Sequence, residues 1–449
     1  MKKAGFNPRA LFAASEPGAW YDPSDMSTLF QDSAGTTPCY QPGQGQVDPP
    51  VGRILDKSGR GNHATQTTTT SRPTLSARYN LLTKSDQFAD VVWIKTRCAV
   101  TANAGLAPDG SLAASKLVED TSATATHAMQ GQILTLQAVL HTCTVYLKAA
   151  ERSWALLRVG ASSANFFAYF NLANGVIGNA GAGTTFASII SVGDGWYRCQ
   201  VTGTPAAASD YALSLFPAAG NGGVTYSGDG TSGIYIWGAD IRPANDGVGL
   251  PPYQRVVDAN TYDTTGFPLY LKFDGVDDFL QTASVDFSGT DKLFVSAALR
   301  KLSDAAAGIV VELSLVSNSN PGAFALLAPS GANPTMGVYL RGATTLVTKN
   351  ALSGIASPAS GVLTGVFDLA AITQQARIRI NGQPAGGSAS SDAGGGVFGS
   401  YPLYVGKRGL NASTMFNGRL YGLLIRGAAT PDATIAAVES YLNSKARIY

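Results

Sequence analysis

At 449 residues the chain is too long for one ordinary hydrophobic core, so two or three domains are expected. Charged residues make up only 14% and the formal net charge is +2, with no cluster of lysines and arginines, which argues against an electrostatic nucleic-acid binder. Hydrophobic residues reach 45%, enough for substantial cores, yet no apolar run approaches the ~20 residues of a membrane span.

The first fifteen residues, MKKAGFNPRALFAAS, carry two lysines, but Asn7, Pro8 and Arg9 interrupt any signal-peptide core. The protein is therefore expected to be made and used without secretion. Residues 1–15 read either as an anchoring arm for a neighbouring subunit or as a terminus wrapped on the surface. Short apolar runs and turn signals follow. In DKSGRGNH (Asp56–His63) Gly59 and Gly61 can take positive φ, while Asp and Asn side chains can bond nearby amides. TQTTTTSRP (Thr65–Pro73) is β-prone and polar, and Pro73 ends it.

From Tyr79 the texture changes. TCTVYLKA, WALLRV, FFAYFNL, GWYRCQVTG, YALSLF and GIYIWGADI recur as strand-like runs separated by Gly, Asn, Asp and Ser. That spacing predicts an all-β sandwich or jelly roll. PANDGVGLPPY (Pro243–Tyr253) reads as an exit linker. Beyond Val256 a further set of strands includes LYLKFDG, KLFVSAALRK, GIVVELSLV and LYVGKRG. ARIRING (Ala376–Gly382) alternates arginine with isoleucine and then reaches Asn-Gly, the pattern of a half-buried strand entering a hairpin. TPDATIAAVESYLNSKA (Thr430–Ala446) predicts the one clear helix, capped by Thr430, with Pro431 in its first turn. Ile435, Val438, Tyr441 and Leu442 form its apolar stripe. Cys39, Cys98, Cys143 and Cys199 show no metal-like spacing. They read as free thiols, with Cys143 and Cys199 on strand-like runs that could be neighbours.

Two resemblances rest on these runs. Trp20–Gln66 joined to Leu269–Ala446 resembles a concanavalin A-like, laminin-G-like β-sandwich of the kind found in phage structural proteins. The features are WYDPSD, DKSGRGNHATQ, KFDGVDDFLQT, RIRING, LYVGKR, NGRLYGLLIRG and the closing helix. The segment between them, opening NLLTKSDQFADVVW and closing GIYIWGADIRP, resembles a jelly roll similar to carbohydrate-binding modules. The expected fold is all-β: a discontinuous laminin-G-like sandwich (1–79 and 257–449), a jelly-roll β-sandwich inserted at 80–256, and a C-terminal helix. The insert should project as a lobe.

The resemblance implies a non-enzymatic bacteriophage virion protein, tail-fibre or baseplate-associated, taking part in host-surface glycan recognition. A capsid decoration or cement protein contacting other virion subunits is the alternative, and a polysaccharide depolymerase stands third. Partners would be other virion subunits and host polysaccharide or lipopolysaccharide. Nucleic acid and membrane insertion are not expected, and the protein would be assembled in the host cytoplasm. Weak lectin-type sites gain from multivalency, so a homo-oligomer is expected, a trimer being one form.

Candidate chemistry is sparse. The histidines are His63, His127 and His141, and no GxSxG, HExxH or paired-Cys signature appears. Asp274, Asp277 and Asp278 in FDGVDDF sit too close together for a glycosidase pair and read as turn residues. Laminin-G-type sandwiches often hold calcium, for which Asp56 and Asp274 are the matching positions. The spacing establishes no ligand set, so no cofactor or metal site is assigned and Asp56 is read as a turn residue. Sugars stack on aromatic rings beside polar groups. Trp154, Phe167, Tyr169 and Trp196 are therefore the candidate glycan-binding residues, with Arg158, Asn165 and Asn171 close in sequence. Along FFAYF, Phe166, Ala168 and Phe170 face one way while Phe167 and Tyr169 face the other.

Overall fold

The computed structural model describes residues 6–160, 165–206, 209–316, 319–386, 393–410 and 414–449. The fold is all-β, with a single α-helix, Asp432–Ala446, among the described residues. Among the described residues no helix is long and apolar enough to cross a membrane.

Two sheets draw strands from both ends of the chain. The eight-stranded sheet runs Gln383–Pro384, Ala376–Ile380, Ala359–Asp368, Lys292–Lys301, Asn417–Arg426, Tyr270–Asp274 and Thr74–Ser76, and Gly18–Tyr21 also pairs Asn417–Arg426. The nine-stranded sheet runs Leu29–Phe30, Arg53–Ile54, Ala64–Thr65, Leu280–Asp286, Ser400–Val405, Ile309–Leu313, Phe324–Leu327, Gly337–Arg341 and Leu346–Asn350. Leu75 lies opposite Leu271, so residues 77–269 leave this sandwich and return beside the point of departure. Leu75, Leu271, Phe273, Val295, Leu299 and Leu420 of the first sheet share a core with Val311, Phe324, Leu326, Val338 and Leu403 of the second.

The strand Lys292–Lys301 is buried on both sides because the C-terminal helix covers the sheet's outer face. Ile435, Val438 and Leu442 pack there against Phe294, Ala298, Val362 and Tyr421, each contributing about 2 kcal/mol by the apolar area it removes from water. Arg379, on the polar side of the ARIRI strand, meets the helix too. Its guanidinium donates to both carboxylate oxygens of buried Glu439, at 2.8 and 2.9 Å. The turn after this strand is the two-residue loop Asn381–Gly382, both at positive φ, as the Asn-Gly pair foretells. Thr430 does not cap the helix. The cap position is Pro431, and Thr430 Oγ1 instead donates to the Ala428 carbonyl and accepts from Arg426.

Residues 94–243 build a second sandwich. One six-stranded sheet runs Val176–Ala180, Asn165–Asn171, Trp154–Gly160, Ser209–Ala218, Ala128–Leu136 and Ile94–Thr96. The other runs Thr184–Gly193, Trp196–Gly203, His141–Ala149, Gly233–Pro243, Ala114–Glu119 and Cys98–Gly105. Its core holds Trp93, Met129, Val145, Leu157, Phe166, Phe170, Leu215 and Ile236. All four cysteines are free. Cys143 pairs with Val201 and Cys199 with Val145, so the two thiols on neighbouring strands are two positions out of step.

The chain crossings between the sandwiches are clamped, not loose. Asn80 and Gln254 are fully buried, and each side-chain amide makes four hydrogen bonds. Gln254 accepts from the amides of Tyr79 and Asn80 and donates to the carbonyls of Ala77 and Asp263. Asn80 donates to Ala239 and Gln254 and accepts from Leu82 and Ile241. Donor and acceptor capacity is used up, which fixes both crossings in one arrangement. The expected linker at Pro243–Tyr253 is likewise docked. Asp246 accepts from Arg300 Nε at 3.1 Å and Arg419 Nη1 at 3.0 Å on the eight-stranded sheet. At the N-terminus Pro8–Phe12 forms a short 3₁₀ turn whose Leu11 and Phe12 are buried on the chain's own sheet. An arm free to reach a neighbour is therefore not seen at residues 8–12, because those apolar side chains are already covered. Residues 1–5 lie outside the described residues.

Candidate glycan-binding face

The strand Trp154–Gly160 alternates strictly. Ala155, Leu157 and Val159 point into the core, while Trp154, Leu156 and Arg158 point out. Register then determines the neighbours on the outer face. Trp154 lies between Asn171 and Ala218, Leu156 between Tyr169 and Phe216, and Arg158 between Phe167 and Ser214. Gln130 follows Ser214 in the same row. Phe167 and Tyr169 meet edge to face, with centroids 6.2 Å apart and planes at 87°.

The edge strand Val176–Ala180 curls over part of this face. A Cβ on Gly178 would sit 2.7 Å from the Trp154 ring, and one on Gly181 2.6 Å from the Phe167 ring. Those two glycines let the backbone pass that close. Asn179 and Asn221 bond each other beside them, tying the strand to the turn at 219–223. Trp154 and Phe167 remain partly open, while Tyr169 is 7% exposed.

Arg158 is the polar centre of the face. Its guanidinium lies 4.8 Å over the Phe216 ring, and it forms no ion pair among the described residues. Its Nε is buried and finds no hydrogen-bond partner among them. Burial pushes the guanidinium below its ordinary pKa and the Tyr169 hydroxyl above its own. An unpaired buried donor beside aromatic rings can bond a ligand hydroxyl or carboxylate while the rings take its apolar face.

Trp196, the fourth candidate, is not part of this face. It lies on the other sheet, 2% exposed, packed with Tyr146 and Trp237, and its Nε1 donates to the Leu106 carbonyl at 3.1 Å. Phe216 and Ser214 belong to the face but were not singled out from the sequence. Only the pairing of Ser209–Ala218 with Trp154–Gly160 brings them in.

The carboxylates sort into turns and ion pairs. Asp56 accepts from the Trp20, Ser58 and Asn62 amides and from Ser58 Oγ, which makes it the hub of its glycine turn. Asp274, Asp277 and Asp278 have oxygens within 4.8 Å of one another, the one such acidic group among the described residues. Their oxygens accept from the Val276, Asp277 and Asp274 amides and from Ser71 Oγ, and so close the turn itself. Burial, with Asp274 and Asp277 adding to it, pushes the Asp278 carboxyl up to about 7. Glu312 is buried on the outer row of the nine-stranded sheet, where Arg408 Nε reaches it at 3.3 Å and Ser314 Oγ donates at 2.5 Å.

No family model matches the chain, and no curated protein matches it. Among solved structures, a heptameric SAP-like pentraxin from Limulus polyphemus is similar at 14% identity and TM-score 0.31, over 37% of this chain and 80% of that one. The CBM40 of the Ruminococcus gnavus IT-sialidase matches at 15% identity and TM-score 0.27, over 33% and 83%. The binding domain of botulinum neurotoxin serotype G matches at 10% identity and TM-score 0.30, over 40% and 44%. These are similarities of parts at low scores, and no property of this chain follows from them.

Proposed function

We propose that this chain is a non-enzymatic structural protein of a bacteriophage virion, tail-fibre or baseplate-associated, that recognises host-surface glycans through the outer face of the insert. The observation that supports glycan recognition is the Arg158 guanidinium, its Nε buried without a partner among the described residues, on the same face as Trp154, Phe167 and Tyr169. The phage setting rests on the sequence resemblance of both halves to virion domains. A sugar ring would lie against the open part of Trp154 or Phe167, with Arg158, Gln130 and Asn171 bonding its hydroxyls or carboxylate. Binding of recombinant protein to host cells or purified lipopolysaccharide, lost in Trp154→Ala, tests this; absence of any such binding contradicts it. Release of reducing sugar ends, abolished by one Asp or Glu substitution, would contradict the non-enzymatic reading.

The cement or decoration reading has its own support. The edge strand Thr184–Gly193 carries no charged residue and exposes Phe186, Ile190 and Val192. Such an edge fits a neighbouring subunit, another copy of this chain included. Locating the protein in virion images separates the two readings. We further propose that residues 80–256 fold as a unit apart from 1–79 and 257–449. Replacing them with a short Gly-Ser bridge should leave a folded sandwich, and an aggregated product despite linker optimisation would count against it.

A further inference from the structure

Where the two sandwiches meet, a cleft of about 630 Å³ opens, within the range of small-ligand sites. Its floor is the outer face of the eight-stranded sheet, which presents Lys272, Arg300 and Arg419, and Arg78 stands at the chain crossing. The opposite wall comes from the insert and includes Gln137 and His141.

The charge in this cleft does not cancel. Asp246, behind the floor, serves both Arg300 and Arg419. Asp48 is the one carboxylate on the lining, and its Oδ1 accepts from Tyr262 Oη at 2.5 Å. Lys272 is exposed, and its Nζ makes no hydrogen bond or ion pair among the described residues. Arg78 is partly buried, and its guanidinium donates only to the carbonyls of Asn80, Leu81 and Leu82. Asp48 attracts both Arg78 and Lys272, and Asp258 also acts on Arg78, yet neither cation makes a direct ion pair among the described residues, and the four cations on the lining outnumber the carboxylates that serve them. A partly desolvated guanidinium that bonds only carbonyls and makes no direct ion pair gains from an anion entering the cleft. The amide groups of Gln137 and Asn260 and the hydroxyl of Thr74 complete a lining suited to a polyhydroxylated ligand.

We infer that this cleft binds the carboxylate of an acidic sugar residue, with Lys272 and Arg78 holding the charge and the insert's Gln137 closing over the ring. The site is separate from the insert's outer face and does not depend on it. Because one wall comes from each sandwich, the ligand would also tie the two together.

The test is calorimetric titration of the full chain with D-galacturonate, D-galactose and inorganic phosphate, on wild type, Lys272→Glu and Gln137→Ala. Galacturonate should bind saturably and galactose should not. Lys272→Glu should weaken binding about tenfold or more, and raising the salt from low to high should weaken it in wild type. Gln137→Ala, on the exposed insert side, should weaken it several-fold. Lys272 is on the surface, so an unchanged circular dichroism spectrum and melting temperature should confirm the fold of that variant. No saturable galacturonate binding, a folded Lys272→Glu protein that binds as wild type does, or phosphate binding as tightly as galacturonate would each overturn the inference. Loss of galacturonate binding in Trp154→Ala, with Lys272→Glu unaffected, would also overturn it by placing the acidic sugar on the other face.

Discussion

The insert has two outer sheet faces, both rich in aromatic rings, and they meet different fates. On one, Trp196, Tyr146 and Trp237 are sealed: Tyr253 of the returning chain packs 5.0 Å from Trp237, and the 106–107 turn closes over Trp196. On the other, an edge strand flanks Trp154 and Phe167 but leaves their rings and the Arg158 guanidinium partly open, while Tyr169 beside them is as buried as the sealed rings. The strands have the same alternation and similar composition. What separates a sealed ring from a partly open one is whether another segment of chain covers it.

The largest effect should come from the sealed face. Trp196→Ala should destabilise the protein by about 3–5 kcal/mol in urea unfolding, since it empties a closed cluster, while the folded fraction keeps its polysaccharide affinity. A cost below about 1 kcal/mol would break the comparison, because the site could then not be sealed. Next is the clamp that holds the covering segment in place. Asn80→Ala strands buried backbone groups and should cost about 3 kcal/mol, with increased protease cleavage near 245–255 as the readout.

The open face should show the reverse balance. Trp154→Ala should cost only about 1–2 kcal/mol of stability yet weaken glycan binding about tenfold or more. The smallest stability change is expected for Arg158→Met, within about 0.5 kcal/mol of wild type, because it removes a donor that has no partner among the described residues. Its glycan binding should nevertheless fall. A large stability loss there would mean that Arg158 is a structural residue and would erase the distinction between the faces.

Much of the fold was legible because its signals are local. The Ile378/Ile380 alternation, the Asn381–Gly382 turn, the apolar stripe of the C-terminal helix and the inward Phe166–Ala168–Phe170 row all follow from spacing along the chain. The separation of Thr74–Ser76 from its partner Tyr270–Asp274 was visible because both runs carry recognisable sequence. Legibility failed where distant segments meet. Nothing near Trp196 announces that Tyr253 and Leu106 will converge on its side of the sheet, and nothing near Leu156 names Phe216 as its neighbour. Pro243–Tyr253 looks like a linker because it is rich in Pro and Gly, but Asp246 in its middle is held by two arginines on the other sandwich. The Thr430 cap failed for a local reason: Arg426 competes for its hydroxyl.

The central claim, that the open face recognises host glycan while the sealed face holds the fold, is tested most directly by titrating host surface polysaccharide onto wild type, Trp154→Ala and Trp196→Ala under conditions where all three are folded. The account predicts saturable binding by wild type and Trp196→Ala, and loss of it in Trp154→Ala. Equal binding by wild type and Trp154→Ala, or none by wild type, would contradict it.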